Sequence, residues 1–245
     1  MAMAPWLKPA LMAARKRRAL WVRVLDLGRT AATGEGRAML WTRLVHRGDV
    51  HQTTPFTRED RYPELFDLAA SLAPAATRIL SFGCSTGAEL VALRRRFPDS
   101  EIVGAEINPR SRGIAAARVR NDARTAVVSP GSVAGRFDAI FALAVLQREP
   151  HKMSAMGVED LSAYYPFERF DGAVRWLDRL LVPGGLLCVA NAHYRVEDSS
   201  VAPRLEPVPG SPAMAGPVFG PDGKRLSGPA GCTMFRKCAR ADGAA

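Results

Sequence analysis

The sequence predicts an α/β fold, a seven-stranded and mostly parallel sheet with helices on both faces and a helical N-terminal extension. Three observations carry this. Five short apolar runs alternate with helical stretches between residues 78 and 190, the order that a parallel sheet covered on both sides requires. A turn bearing two glycines, FGCSTGAEL, joins the first run to the first of those helices. The first 50 residues carry 10 Lys and Arg against 3 Asp and Glu, while the remainder carries 24 against 21. A basic extension, residues 1–48, therefore precedes a near-neutral domain, residues 49–245.

The extension reads as one helix over residues 7–27. Leu20, Trp21, Val24 and Leu25 recur at helical spacing, and Arg15, Lys16, Arg17, Arg18 and Arg23 crowd the polar side. Three roles stay open for it: docking its apolar stripe on the domain, resting on anionic lipid, or gripping phosphates. The early arginines are also faintly like an organelle transit peptide. Residues 33–36 are a joint, residues 38–45 a second helical stretch, and residues 49–60 a polar loop containing His51.

A short helix follows over residues 62–72. RILSF (78–82) is a buried strand, and AELVALRRRF (88–97) a helix stopped by Pro98. EIVGAEI (101–107) is the second strand, after which Pro109 opens a helix through residue 121. Residues 125–128 and 137–145 supply strands three and four. Phe170, Val174, Leu177 and Leu181 mark the inner face of a helix over residues 167–181. Pro183-Gly184-Gly185 ends that helix in a tight turn, and residues 186–190 are the fifth strand. Seven prolines between residues 201 and 229 indicate a surface lid loop, with a short strand at 217–219 and a last edge strand at 232–237.

Composition excludes several classes. With 47% apolar and 24% charged residues the chain is not wholly disordered. No apolar run approaches the ~20 residues that cross a bilayer. The four cysteines, Cys84, Cys188, Cys232 and Cys238, lack metal-site spacing, so no metal is expected and a reduced cytoplasmic setting is the default. Of 34 basic residues 29 are Arg, a bias a GC-rich genome produces unaided, so net charge alone does not make this a nucleic-acid binder.

In a doubly wound sheet, ligands sit beyond the carboxyl ends of strands where strand order reverses. Gly83 and Gly87 bracket Cys84, Ser85 and Thr86, and small residues there let backbone approach a ligand while the next helix offers free N–H groups. Glu106 stands nineteen residues past Gly87, where a carboxylate can accept hydrogen bonds from both hydroxyls of a ribose. A P-loop lysine and a G-x-G-x-x-G run are both absent, which leaves a nucleoside-containing cofactor as the fit and sets ATPase and NAD readings behind.

FGCSTGAEL, IVGAEINP, RFDAIFALAVL and LDRLLVPGGLLCVANA together resemble the core of class I S-adenosylmethionine-dependent methyltransferases, which have a Rossmann-like fold. The likeness covers residues 77–190, and the Cys84–Gly87 turn followed by Glu89 is locally similar to chemotaxis receptor methyltransferases. The resemblance implies S-adenosyl-L-methionine as cofactor. Phe82, Gly83, Cys84, Ser85, Thr86 and Gly87 would cradle its methionine part, and Glu106 would hold the ribose, with Ile107 and Asn108 beside the adenine. Ala142, Leu143 and Ala144 would lie below the methyl group. The sequence departs from the family at Ser81, where an acid is usual, and at Ser85, where a glycine is. It departs again after the third strand, where VVSPGSVAG lacks the usual Asp and leaves Ser129, Gly131, Ser132 or backbone to meet adenine.

Methyl transfer demands alignment, exclusion of water and sometimes removal of one proton, so no fixed catalytic residue is implied. Loops after strands four and five offer Gln147, Arg148, His151, Tyr164, Tyr165, Asn191, His193 and Tyr194. His193 is the first choice for a base and Tyr164 for a pocket wall, while His51 and Tyr62 are placed to close over the cofactor's carboxylate. Neither an Asn-Pro-Pro-aromatic signature nor a chelating carboxylate pair is present. A small-molecule acceptor is expected. The alternatives are RNA or an acidic macromolecule held by residues 1–30, or a non-catalytic cofactor-binding scaffold.

Overall fold

The computed structural model describes residues 60–214, 216–228 and 231–239, together with Ala32, Thr33, Gly34 and Arg37. The chain divides into two compact units, Met1–Arg47 and Gly48–Ala245. The helix expected over residues 7–27, the stretch at 38–45 and His51 lie outside the described residues.

Within the second unit, helix α1 (Pro63–Leu72) opens with proline at its first position, where the missing N–H costs nothing. Strand β1 (Arg78–Phe82) then leads through the glycine turn into α2 (Ala88–Arg96). After β2 (Glu101–Ala105), Asn108 caps α3 (Pro109–Val119), its side chain accepting from the amides of Arg110 at 2.9 Å and Ser111 at 3.2 Å. Next come β3 (Thr125–Val128), β4 (Phe137–Leu143) and the short α4 (Pro150–Ala155). Helix α5 (Phe167–Leu180) buries Phe170, Val174 and Leu177 at the expected spacing and passes directly into β5 (Leu181–Ala190). The chain finishes with β6 (Leu205–Pro207) and β7 (Met234–Lys237).

The seven strands lie in the order β3-β2-β1-β4-β5-β7-β6. Strands β1 to β5 pair in parallel, and β7 is antiparallel to both β5 and β6, so it alone is reversed. β1 is interior, and Ile79, Leu80 and Ser81 within it are buried. Asp138 at the start of β4 holds it in place, Oδ2 accepting from Thr77 N at 2.8 Å, Thr77 Oγ1 at 2.9 Å and Arg78 N at 2.9 Å. Alternate strand residues feed two core layers. Ile79, Ile102, Ala139, Leu186 and Met234 pack with α1, α2 and α3. Their neighbours Leu80, Val103, Ile140, Leu187 and Phe235 pack with α5 and the segment after β5. No helix among the described residues is long and apolar enough to cross a membrane.

Three expectations are corrected. Pro183-Gly184-Gly185 does not separate helix from strand. It is a bulge inside β5, where pairing with β4 jumps from Phe137↔Leu181 to Ala139↔Leu186. The terminal strand is not at the edge: β7 is interior and β6 is outermost. The proline-rich stretch is also no simple surface lid. Val201, Leu205, Val208, Met214, Val218 and Phe219 are buried, and β6 lies within the stretch, so much of it is a wall of the core. The strand expected at 217–219 is reduced to single bridges from Phe219 to Tyr194 and Arg225.

Candidate functional site

Strand order reverses between β1 and β4, and the glycine turn leaves β1 at that crevice. Gly83 and Gly87 have φ of +80° and +81°, in the left-handed region that a side chain disfavours. Space is closed as well, since a Cβ on Gly83 would lie 2.5 Å from Val145 Cγ2 and one on Gly87 3.0 Å from Ala115 Cα. Gly83 N and Cys84 N both donate to Ala105 O, at 2.8 and 3.2 Å, which holds the turn against the end of β2. Cys84 is buried with its Sγ under Gly104. Burial first, then the charges of Glu106 and Glu89, pushes its thiol well up, so it is a packing residue and no nucleophile.

Glu106 follows β2 and closes the turn from beyond. Its Oε2 accepts from Ser85 N at 2.9 Å and its Oε1 from Asn108 N at 2.7 Å, leaving lone pairs on both oxygens for further donors. Burial raises its pKa, and the Asn108 and Ser85 amides and the charge of Arg112 pull the other way. The carboxylate is thus aimed before any ligand arrives. Ile107 and Asn108 lie half-buried beside it, with Asn108 Oδ1 engaged in capping α3. Thr86 is half-buried, and Phe82 leans on Trp176 with ring centroids 5.4 Å apart. Ser85 Oγ is buried without a hydrogen-bond partner. Ser129 bonds Ser132 Oγ at 2.8 Å just past β3.

One group that sequence reasoning passed over stands at the same turn. Glu89, in the first turn of α2, accepts from Ser81 Oγ at 2.7 Å, and Ser81 is the position where the acid is missing. Burial pushes its pKa up to about 7, against the Ser81 hydrogen bond and the charge of Arg61. Among the described residues no cation pairs with it in direct contact. A half-buried carboxylate without a direct ion pair is costly, and such groups gather at functional sites. The signal was legible as a serine replacing the acid with an acid eight residues on. Tyr62 lies near Glu89, accepting from Asn191 Nδ2 at 2.9 Å, and burial raises its pKa to about 12, so its hydroxyl stays protonated. Asn191 immediately follows β5 with φ of +51°, a left-handed turn that asparagine adopts more readily than other side chains.

The acceptor candidates fare differently. His193 is 2% exposed, with Nε2 3.0 Å from Arg148 O. A carbonyl only accepts, so Nε2 carries the proton. Burial lowers its pKa, against hydrogen bonding to the backbone of Arg148 and Pro217. With Phe219 and Tyr165 rings edge-on at 5.7 and 6.4 Å, His193 is a tie between loops. Tyr165 and Tyr194 are core, the Tyr194 hydroxyl donating to Tyr165 O. Tyr164 is 45% exposed. Leu143 is buried in the layer of Phe66 and Phe141, and Gln147 is spent on Ala144 O at 3.0 Å. His193→Gln is therefore expected to cost about 1–3 kcal/mol of stability, read as a lower Tm. The pH profile of turnover should keep its shape, and loss of an acidic limb would restore His193 as a base.

Residues 57–206 match the family model of a methyltransferase domain, more than half of the chain. The chain belongs to the methyltransferase family. The methyltransferase matches no curated protein. Among solved structures, the N-methyltransferase NodS from Bradyrhizobium japonicum WM9, in complex with S-adenosyl-l-homocysteine, is 20% identical with a TM-score of 0.48, covering 73% of this chain and 86% of that one. TehB from Haemophilus influenzae is 12% identical with a TM-score of 0.47, covering 72% and 62%. CalS10, an amino pentose methyltransferase from Micromonospora echinaspora, is 21% identical with a TM-score of 0.41, covering 63% and 57%. This methyltransferase thus spans little more than half the length of CalS10.

Proposed function

We propose that the enzyme transfers a methyl group from S-adenosylmethionine to a small-molecule acceptor. The observation that carries the cofactor is Glu106, a buried carboxylate oriented by two backbone amides at the mouth of a glycine turn. When bound, the cofactor supplies a methyl carbon activated by the adjoining sulfonium. Glu106 accepts from the ribose hydroxyls, and the glycine turn admits the chain close to the ligand. Glu89 takes the place of the absent acid at Ser81 and receives the α-ammonium of the methionine part. The protonated Tyr62 hydroxyl, held by Asn191, donates to the α-carboxylate. Ser85 Oγ, without a hydrogen-bond partner among the described residues, is available to the same part of the ligand. Adenine is left to Ile107, Asn108 and Ser129.

The small-molecule acceptor is supported by charge. Residues 51–245 carry 24 cations against 21 acids, a balance that gathers no polyanion at the catalytic unit. The test is methyl transfer from labelled S-adenosylmethionine into fractionated cell extract, by the full chain and by a chain lacking residues 1–30. Label entering low-molecular-weight material, at rates the deletion leaves unchanged, is the expected result. Label in RNA or protein that disappears with residues 1–30 would overturn the acceptor class. No label in any fraction, together with no cofactor binding, would favour a non-catalytic scaffold.

A further inference from the structure

A second concentration of charge lies at the other end of the sheet. A cavity of about 590 Å³ is lined by Arg136, Asp178, Arg179, Pro183, Arg204 and Lys237, among others. Arg136 immediately precedes β4, Arg179 is in the last turn of α5, Arg204 immediately precedes β6 and Lys237 ends the reversed strand β7. All four therefore sit at the amino ends of the parallel strands, whereas the glycine turn, Glu106 and Asn191 sit at the carboxyl ends. Neither pole can serve the other's ligand directly.

The cations are not equivalent. Asp178 is 2% exposed, with Oδ2 2.7 Å from Arg204 Nη2 and Oδ1 3.1 Å from Lys237 Nζ. Lys237 also donates to the carbonyls of Asp178 and Leu181, at 2.5 and 3.1 Å. Asp178 is thus the anchor that fixes Arg204 at the cavity, with over half of the Arg204 side chain left exposed. Arg136 and Arg179 are exposed and make no ion pair with any acid among the described residues. Glu206 approaches only through Cys238, whose thiol donates to it at 3.6 Å. Four lining cations against one lining acid leave the wall at +3. Three of the four are guanidiniums, whose planar forks match oxyanions. The cavity volume is in the range of small-ligand sites.

We propose that this cavity is a second ligand site, taking a multiply charged small-molecule oxyanion of the phosphate-ester or polyphosphate class at the pole opposite the cofactor turn. Arg136 and Arg179 supply the unpaired charge, and Arg204, held by Asp178, supplies a preorganised fork. The site stands independently of the acceptor assignment.

Calorimetry on the full chain tests it, with pyrophosphate and ATP as separate probes. R136Q/R179Q is the test variant and R118Q/R120Q, which removes two exposed arginines from α3 and its C-cap, is the control. Both probes are expected to bind the wild type and the control, to weaken about tenfold or more in R136Q/R179Q, and to weaken with rising salt. S-adenosylmethionine affinity should be equal in all three proteins. No heat with either probe at about 5 mM would overturn the site. Equal affinity in the wild type and R136Q/R179Q would overturn it too, as would an equal loss in both variants, the mark of diffuse charge.

Discussion

Glu89→Gln is expected to make the cofactor-free protein more stable and the cofactor complex harder to form. The folded-state pKa of Glu89 is raised from 4.5 to about 7, chiefly by burial. A raised carboxyl pKa means that the folded state binds more protons than the unfolded chain between these values, so stability is lost as pH climbs through that window. The loss amounts to about 3 kcal/mol in full, at 1.36 kcal/mol per unit. The neutral amide does not suffer it. At pH near 8 the variant should therefore resist urea better than the wild type, by up to roughly that amount, and the two should converge towards pH 5. Cofactor binding should move the opposite way. With the ammonium's counter-ion gone, affinity at pH 8 should fall about 10- to 100-fold. In the wild type affinity should fall below about pH 7, whereas the variant should be flat there. A variant that gains no stability at pH 8 would show that Glu89 is not ionised at a cost. One that gains stability and binds normally would show that the ammonium goes elsewhere.

Glu106→Ala carries the second large effect. The carboxylate holds Ser85 N and Asn108 N, and in the proposed function its remaining lone pairs receive the ribose. Its removal should weaken S-adenosylmethionine binding by about 1–3 kcal/mol, roughly 5- to 150-fold. The cost to folding should be smaller, because the loss of two accepted bonds is offset by relief from burying a charge. Calorimetry with S-adenosyl-L-homocysteine separates this from an effect on turnover, and a thermal melt checks the fold. Unchanged affinity would mean that the nucleoside sits somewhere other than the end of β2.

Much of this was written locally. RILSF and TAVV are strands over the residues that the apolar runs marked, and α5 carries its buried face at the expected spacing. RILSF and α5 were legible because burial on both faces of a parallel sheet imposes apolar runs, and a helix against a sheet imposes a stripe. TAVV is an edge strand with no buried residue. The glycine turn was legible for a similar reason. Only residues without side chains fit at positive φ under Val145 and against Ala115, so the constraint appears as composition.

The acceptor side was not legible. His193 and Tyr194 had the chemistry and the place after β5 that a base or pocket wall needs, yet both are in the core. What withdrew them is the segment between β5 and β7, whose Val218 and Phe219 fold over that face with Phe219 N bonded to His193 O at 2.8 Å. No window of sequence around His193 contains that contact. Likewise Pro183-Gly184-Gly185 has the composition of a turn, and only the register of β5 on β4 makes it a bulge.

The sequence by itself determined the alternation of strands and helices, the glycine turn after β1 and the acid at its far side. Each depends on spacing within one strand–turn–helix unit or on two consecutive units. Tertiary structure alone decided that β7 is interior and that the histidine is a tie. It also decided that Arg136, Arg179, Arg204 and Lys237 share one cavity. Those outcomes depend on which distant segments pack together. The free energy of burying one segment against another belongs to the pair and is written in neither segment alone.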